Sequence, residues 1–169
     1  LSGLMQPLPP WSCAVTVVWS GSHLFQLSGE THHMATASAV IDIPASADQV
    51  WQLIGGFNSL PDWLPMVTRS EPSEGGRLRT LLTDDGTVIV ERLEAFDNAA
   101  KTYSYSLAQS PFPVKDYLAT LSVEALGDGS RVRWSGLFTP VGVSEVEAQE
   151  LFKGVYQVGL TALRANFPG

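Results

Sequence analysis

Cysteine and histidine are scarce in this chain of 169 residues, which has one cysteine, Cys13, and three histidines. All three histidines lie within residues 1–33, so neither residue type occurs from residue 34 onward. A disulfide framework, a Ser-His-Asp triad, a cysteine nucleophile and a typical zinc site all need these residue types. We therefore expect the domain to work without a metal or cofactor, and any activity to survive dialysis against a chelator.

Basic residues are also few, with 10 lysines and arginines against 17 acidic residues and a net charge of −7. Nucleic-acid binding requires a basic stripe, and the sequence shows none. No apolar run approaches the roughly 20 residues that a transmembrane helix needs. A hydrophobic content of 44% is typical of a globular domain. Nothing in the sequence indicates the oligomeric state.

Residues 1–33 differ from the rest because they contain no lysine or arginine, and the first basic residue is Arg69. The apolar stretch AVTVVW therefore lacks the positive segment of a secretory signal. Met34 opens a well-patterned stretch, so we expect residues 1–33 to be a leader or vector-derived segment and 34–169 to be a single domain. An additional native strand at AVTVVW is the alternative. The absence of a recognisable signal leads us to expect a cytoplasmic protein.

The pattern after Met34 predicts one strand, two short helices and a run of strands. SAVIDIPA alternates and ends at Pro44, and Ser46 is a suitable N-cap for ADQVWQLIG. FNSLPDWLP suits a second short helix. From residue 66, six alternating runs are separated by turn sequences such as EGG, DDG and GDGS, as expected for an antiparallel meander.

The last element is predicted to be a long helix over about residues 144–166. Ser144 and Glu147 match a capping box. Apolar residues then recur at helical spacing, which indicates one buried stripe. These elements predict an α+β fold in which a seven-stranded curved antiparallel sheet surrounds the C-terminal helix and leaves an internal cavity.

Three segments, VWQLIGGFNSLPDWLP, VERLEAFD and SPFPVKDYLATLSVEALGDGSRVRWSGLF, resemble the helix-grip fold of the START and pollen-allergen (SRPBCC) superfamily. Within it the chain is most similar to the polyketide cyclase/dehydrase group, which includes proteins like lachrymatory factor synthase. The resemblance covers residues 35–167 and implies the helix-grip fold. Members of the superfamily range from carriers and hormone receptors to isomerases, so the fold alone does not give the activity.

The hairpin GRLRTLLTDDGTVIVERL carries a charge in each strand, Arg79 and Glu91. A two-residue turn at Asp85-Gly86 would place Arg79 opposite Arg92, and like charges in that position destabilise a sheet. A three-residue loop with Gly86 in the left-handed region instead pairs Arg79 with Glu91. We predict this second register. Both faces of the hairpin are apolar, so periodicity does not say which face is buried.

The resemblance implies that the face carrying Arg79 and Glu91 points inward, because lachrymatory factor synthase-like proteins have an Arg, a Glu and a later Tyr in their pocket. The matching residues are Arg79, Glu91 and Tyr117. Without the resemblance, an exposed ion pair would be the expected arrangement. The predicted apolar lining consists of Leu81, Ile89, Tyr105, Trp134, Phe138, Phe152 and Tyr156.

Two further aromatic residues have alternative interpretations. Trp63 either lies at the mouth of the cavity or packs the short helices onto the sheet. Phe112, in a proline-rich loop, either closes the cavity or is buried for local packing, and the second is favoured.

The expected function is binding of a small hydrophobic or amphipathic molecule, polyketide-like or lipid-like, with Arg79 and Tyr117 holding its polar end. The alternative is a cofactor-free cyclase, dehydratase or isomerase. In that case Glu91 would move a proton, Arg79 would stabilise negative charge and Tyr117 would donate or relay. A third class is a protein-interaction domain whose interior is filled by side chains.

Overall fold

The computed structural model describes residues 33–169. The segment interpreted as a leader therefore lies, except for His33, outside the described residues. The elements in chain order are β1 (Ala35–Ile43), α1 (Ala47–Ile54), α2 (Leu60–Trp63), β2 (Val67–Ser73), a 3-10 turn (Glu74–Gly76), β3 (Leu78–Thr83), β4 (Val88–Asp97), β5 (Thr102–Gln109), β6 (Val114–Leu126), β7 (Gly129–Pro140) and α3 (Glu145–Arg164).

The strands form one seven-stranded sheet in the order β1-β7-β6-β5-β4-β3-β2, and every neighbouring pair is antiparallel. The curved sheet grips α3, which confirms the predicted fold class. One face of α3 is buried, and it carries Ala148, Phe152, Tyr156, Gly159, Leu160 and Leu163.

Capping explains where the helices begin. The Ser46 side chain accepts a hydrogen bond from the Gln49 backbone N–H, and the Ser46 backbone N–H donates one to the Gln49 side-chain oxygen. Ser144 and Glu147 form the same reciprocal pair at the start of α3. Each capping box gives acceptors to two backbone N–H groups that would otherwise lack partners at the start of a helix. The predicted capping box at Ser144 is therefore confirmed.

The β3–β4 hairpin has the predicted register, with Arg79 opposite Glu91 and Leu81 opposite Ile89. The Thr83 amide donates to the Thr87 carbonyl at 3.0 Å, which closes the three-residue loop. Gly86 has φ of 85°, a left-handed conformation that glycine adopts at little cost. The loop chemistry thus fixes which residues of the two strands are neighbours.

A β-bulge interrupts β6 where it pairs with β7. Lys115 pairs with Thr139 and Leu118 with Leu137, so Asp116 and Tyr117 together oppose Phe138. Asp116 has φ of 51°, unusual for a residue with a side chain. The extra residue leaves Lys115 and Asp116 exposed and Tyr117 buried. The bulge therefore directs Tyr117 toward α3.

No helix within residues 33–169 is both long and apolar enough to cross a lipid bilayer.

Candidate functional site

The charges of Arg79 and Glu91 are buried on the inner face of the β3–β4 hairpin. Arg79 is 1% exposed and Glu91 is 7% exposed. Glu91 Oε2 accepts hydrogen bonds from Arg79 Nε at 2.7 Å and lies 2.6 Å from Nη2. Desolvating two charges costs several kcal/mol per ion, so such a pair contributes little net stability. An arrangement of this kind calls for an explanation other than stability.

The loop after α1 also contacts Arg79. The Nη1 atom of Arg79 donates a hydrogen bond to the carbonyl oxygen of Phe57 in this loop. The guanidinium carbon lies 4.0 Å from the centroid of the Phe57 ring and 5.1 Å from that of Tyr105, both within cation–π range. Sequence reasoning did not identify Phe57. The one feature of the sequence that could have indicated Phe57 is its position directly after a glycine pair, in the loop that follows a capped helix.

Burial raises the pKa of the Glu91 carboxyl above its ordinary value, because desolvation outweighs the attraction of Arg79. Burial by itself would lower the pKa of Arg79, but nearby Glu91, Tyr103 and Tyr105 keep that pKa above its ordinary value. Glu91 therefore holds a proton more strongly than a carboxyl group in water. Glu91 Oε1 makes no hydrogen bond to any residue in 33–169, so one oxygen of the carboxyl is available to another molecule.

Tyr117 lies on the same inner face, but its hydroxyl does not bond to the Arg79–Glu91 pair. It is 2.6 Å from the hydroxyl of Tyr156 on α3. Strand β5 separates β6 from β4, and the Tyr105 ring of β5 lies between the two sites, 6.2 Å from the Tyr117 ring. Burial raises the pKa of Tyr117 well above its ordinary value. Tyr117 thus shares the inner face with the Arg79–Glu91 pair but makes its hydrogen bond at a separate point.

Gly136 on β7 makes the approach of Tyr156 possible. A Cβ at this position would overlap the Tyr156 hydroxyl and lie 3.2 Å from its Cζ. Gly159 on α3 has a similar role, since a Cβ there would lie 2.6 Å from the Trp134 ring. These two glycines let α3 and the sheet bring their aromatic residues into contact.

The interior face is lined by aromatic rings in mutual contact. Phe152 lies 4.7 Å from Phe138 and 5.0 Å from Tyr117, measured between centroids. Trp134 stacks on Tyr156 at 5.0 Å, and its Nε1 donates to the Tyr105 hydroxyl at 3.0 Å. The predicted lining residues Leu81, Ile89, Tyr105, Trp134, Phe138, Phe152 and Tyr156 are all buried.

The two aromatic residues with alternative interpretations both pack inward. Trp63 is 2% exposed and contacts Trp134 edge to face at 5.8 Å. Phe112 is half-buried and contacts Phe152 at 5.2 Å. Phe112 thus joins the loop before β6 to the middle of α3.

Within the described residues, no group of three or more His, Cys, Asp or Glu side chains is placed to hold a metal ion. A separate surface pocket of about 180 Å³ lies at the β2–β3 edge. Its lining includes Arg69, Glu71 and one side of Leu81, but neither member of the buried pair. The pocket is therefore not part of the candidate site.

A curved antiparallel sheet that grips a long C-terminal helix, with short helices between its first two strands, defines the helix-grip class of domain. Residues 34–168 match the family described as "Polyketide cyclase / dehydrase and lipid transport". The chain belongs to this family. A comparison with curated protein sequences found no match.

Solved structures with the same fold include a clearly related protein. The protein XoxI from Bacillus cereus is 50% identical, with a TM-score of 0.77 over 79% of this chain and 95% of that one. An aromatase/cyclase, Zhui, from a Streptomyces species is 17% identical, with a TM-score of 0.65 over 79% and 93% of the two chains. A START superfamily protein from Mycobacterium smegmatis is 16% identical, with a TM-score of 0.64 over 78% of this chain and 95% of that one. The last two likenesses show the fold alone.

Proposed function

We propose that this protein binds a small hydrophobic or amphipathic molecule, polyketide-like or lipid-like, between the sheet and α3. The observation that carries the proposal is the enclosed Arg79–Glu91 pair beside a wall of aromatic rings. A buried ion pair contributes little to stability, whereas a polar group among apolar walls is what orients a bound molecule.

Unused hydrogen-bonding capacity at the pair supports this proposal. A guanidinium has five N–H donors. Arg79 directs Nε and Nη2 to Glu91 and Nη1 to Phe57. The Tyr103 hydroxyl also lies within hydrogen-bonding reach of the guanidinium. These contacts leave one of the five N–H groups over. Together with Glu91 Oε1, it offers a donor and an acceptor to the polar end of a ligand. The family description, which includes lipid transport, agrees with a binding role.

Native mass spectrometry of the purified protein tests whether it carries a small molecule that is lost on denaturation. Fluorescence titration with N-phenyl-1-naphthylamine, an uncharged apolar dye, tests the same space directly. Ala119→Leu adds volume at a fully buried position of β6, and Ala125→Leu is its control at an exposed position of the same strand. We expect only Ala119→Leu to weaken binding of the dye to the folded protein. A folded wild-type protein that carries no molecule and binds no dye would refute the proposal.

The second candidate function is metal-free catalysis of cyclisation, dehydration or isomerisation. The observation that favours it is the raised pKa of Glu91, since a carboxyl that holds its proton more strongly than one in water is suited to acid–base catalysis. Glu91 would transfer the proton, and Arg79 would stabilise charge developing on a substrate oxygen. The Tyr117–Tyr156 hydroxyl pair would serve as a donor at a second point of the molecule.

Glu91→Gln separates the two candidates, because the amide keeps the shape of the carboxyl but cannot exchange a proton. An enzyme should lose turnover in this variant with little change in KM, whereas a carrier keeps its affinity and has no turnover to lose. Binding without any measurable turnover in the wild type, with affinity kept in Glu91→Gln, would favour binding alone.

A further inference from the structure

The interior contains more hydrogen-bond donors than acceptors for them. The Tyr105 hydroxyl accepts from Trp134 Nε1, and the hydroxyls of Tyr117 and Tyr156 share one hydrogen bond. Each tyrosine hydroxyl carries one proton to donate. The Tyr105 proton and one proton of the Tyr117–Tyr156 pair therefore have no acceptor in the described part of the chain.

Trp63 adds a third donor without a partner. Its ring is 2% exposed, and its Nε1 has no hydrogen-bond partner among residues 33–169. An indole nitrogen only donates, so it cannot be satisfied by the neighbouring N–H of Trp134. A buried donor without an acceptor destabilises the folded state, and native proteins contain few of them. The other such atom, Ser130 Oγ, lies at the far end of β7 beside Ile43.

The charges of the interior argue against an anion at this place. Arg79 is the buried cation of the described residues, and Glu91 already neutralises it. The donors near Trp63 belong to neutral indole and phenol groups. A neutral oxygen that only accepts, such as a carbonyl or ether oxygen, complements these donors without bringing an uncompensated charge into an apolar space.

We infer that the molecule bound between the sheet and α3 is neutral and carries a carbonyl or ether oxygen that accepts a hydrogen bond from Trp63 Nε1. This inference rests on the proposed binding function and adds the chemical class of the ligand. Trp63 packs against Trp134, whose own N–H is held by Tyr105. The oxygen therefore binds beside the Trp63–Trp134 contact, on the side of the site formed by α2.

The test compares two probes that differ mainly in one oxygen, 2-acetylnaphthalene and 2-ethylnaphthalene. Affinities for the full chain are measured by titration calorimetry or by tryptophan fluorescence. The wild type should bind the ketone roughly three- to tenfold more tightly, the range expected for one net hydrogen bond. Trp63→Phe keeps an aromatic ring but removes the donor. This variant should bind the two probes with about equal affinity.

Trp51→Phe is the matched control, because Trp51 Nε1 already donates to Asn98 at 2.8 Å and is not available to a ligand. This variant should keep the preference of the wild type. The melting temperature of Trp63→Phe should be unchanged or higher, since the lost N–H had no partner in the described residues.

The outcomes distinguish the inference from the binding proposal. If the wild type binds both naphthalenes equally, the inference is wrong and apolar binding stands. If the preference persists in Trp63→Phe, the acceptor lies elsewhere and the assignment to Trp63 is wrong. If neither probe binds even near its solubility limit, the binding proposal and the inference both fail.

Discussion

The hydroxyl oxygens of Tyr117 and Tyr156 lie 2.6 Å apart although 39 positions separate the two residues in the chain. This hydrogen bond connects β6 to α3 across the interior. Tyr117 reaches it because of the bulge at Asp116, and Tyr156 reaches it because Gly136 has no side chain. The contact thus depends on two separate local features.

Removal of either hydroxyl should weaken the connection between sheet and helix. We expect Tyr117→Phe and Tyr156→Phe each to lower the free energy of unfolding by about 0.5–1.5 kcal/mol, the net value of a typical hydrogen bond. The double variant should cost less than the sum of the two, because the second change removes a partner already lost. Denaturant melts of the four proteins measure this coupling, and strictly additive losses would contradict it.

Gly136→Ala should destabilise the protein, because the new methyl group would overlap the Tyr156 hydroxyl. Overpacking in a well-packed interior costs about 1–3 kcal/mol. Tyr156→Phe in the same chain should recover part of that loss by removing the overlapping atom. Thermal melts of the single and double variants check this expectation.

Gly154→Ala is the matched control for this prediction. Its added Cβ would meet nothing within 4 Å, and the residue lies within α3. Alanine favours a helix over glycine by about 0.8–1.0 kcal/mol, so this change should stabilise the protein. A loss of stability at position 154 equal to that at 136 would show that the effect is not specific to Tyr156.

Glu91→Ala should be strongly destabilising because it leaves the buried Arg79 guanidinium without its carboxylate. Breaking a buried pair in this way costs about 3–5 kcal/mol, and less where water can enter. Glu74→Ala, which breaks the exposed ion pair between Glu74 and Arg92, should change stability little. Urea denaturation of both variants makes the comparison. Equal small effects would mean that the charge of Arg79 is solvated in the folded protein.

The stability of the wild type relative to Glu91→Gln should decrease as the pH rises. Burial raises the native pKa of Glu91 above its ordinary value of 4.5, so the native state retains a proton that the unfolded state has released. The stabilising contribution is therefore complete below about pH 4.5 and is lost as the pH rises through the native pKa. The other carboxyl groups are common to both proteins and cancel in the difference.

Denaturant melts of these two proteins between about pH 4 and about pH 8 give this difference directly. A difference that increases with pH would show the opposite behaviour, that of a carboxyl whose pKa is lowered by its ion pair. In that case the native Glu91 carboxyl would hold its proton less strongly than one in water, and its proposed role as a proton donor would be wrong.

The hairpin register was predictable because two local rules agreed. Opposition of Arg79 to Arg92 was unfavourable, and Gly86 suited the left-handed position of a three-residue loop. The long amphipathic helix and the order of strands were likewise encoded in residue periodicity and turn sequences. The sequence did not show that Arg79 and Glu91 point inward, because Leu78 and Val90 make the opposite face of the hairpin equally apolar. That expectation depended on the family resemblance.

Contacts between segments that are distant in the chain could not be predicted from the sequence. The Phe57 carbonyl is a backbone group, and side-chain patterns do not indicate which backbone oxygens a buried arginine will find. The hydroxyl partner of Tyr117 was missed because Tyr156 belonged to an ordinary apolar stripe. The bulge at Asp116 was missed as well, since a single aspartate beside a strand is far commoner as an exposed residue than as the left-handed residue of a bulge.

The close approach of Tyr156 to Gly136 should also constrain how these two positions change during evolution. A relative that acquires a side chain at position 136 has to shrink residue 156 or shift its terminal helix, since one space cannot hold both groups. The two positions should therefore covary across the family, with bulky residues at 156 found only beside glycine at 136. Lineages that lose this glycine should also lose the tyrosine pair, and diverge in what they bind.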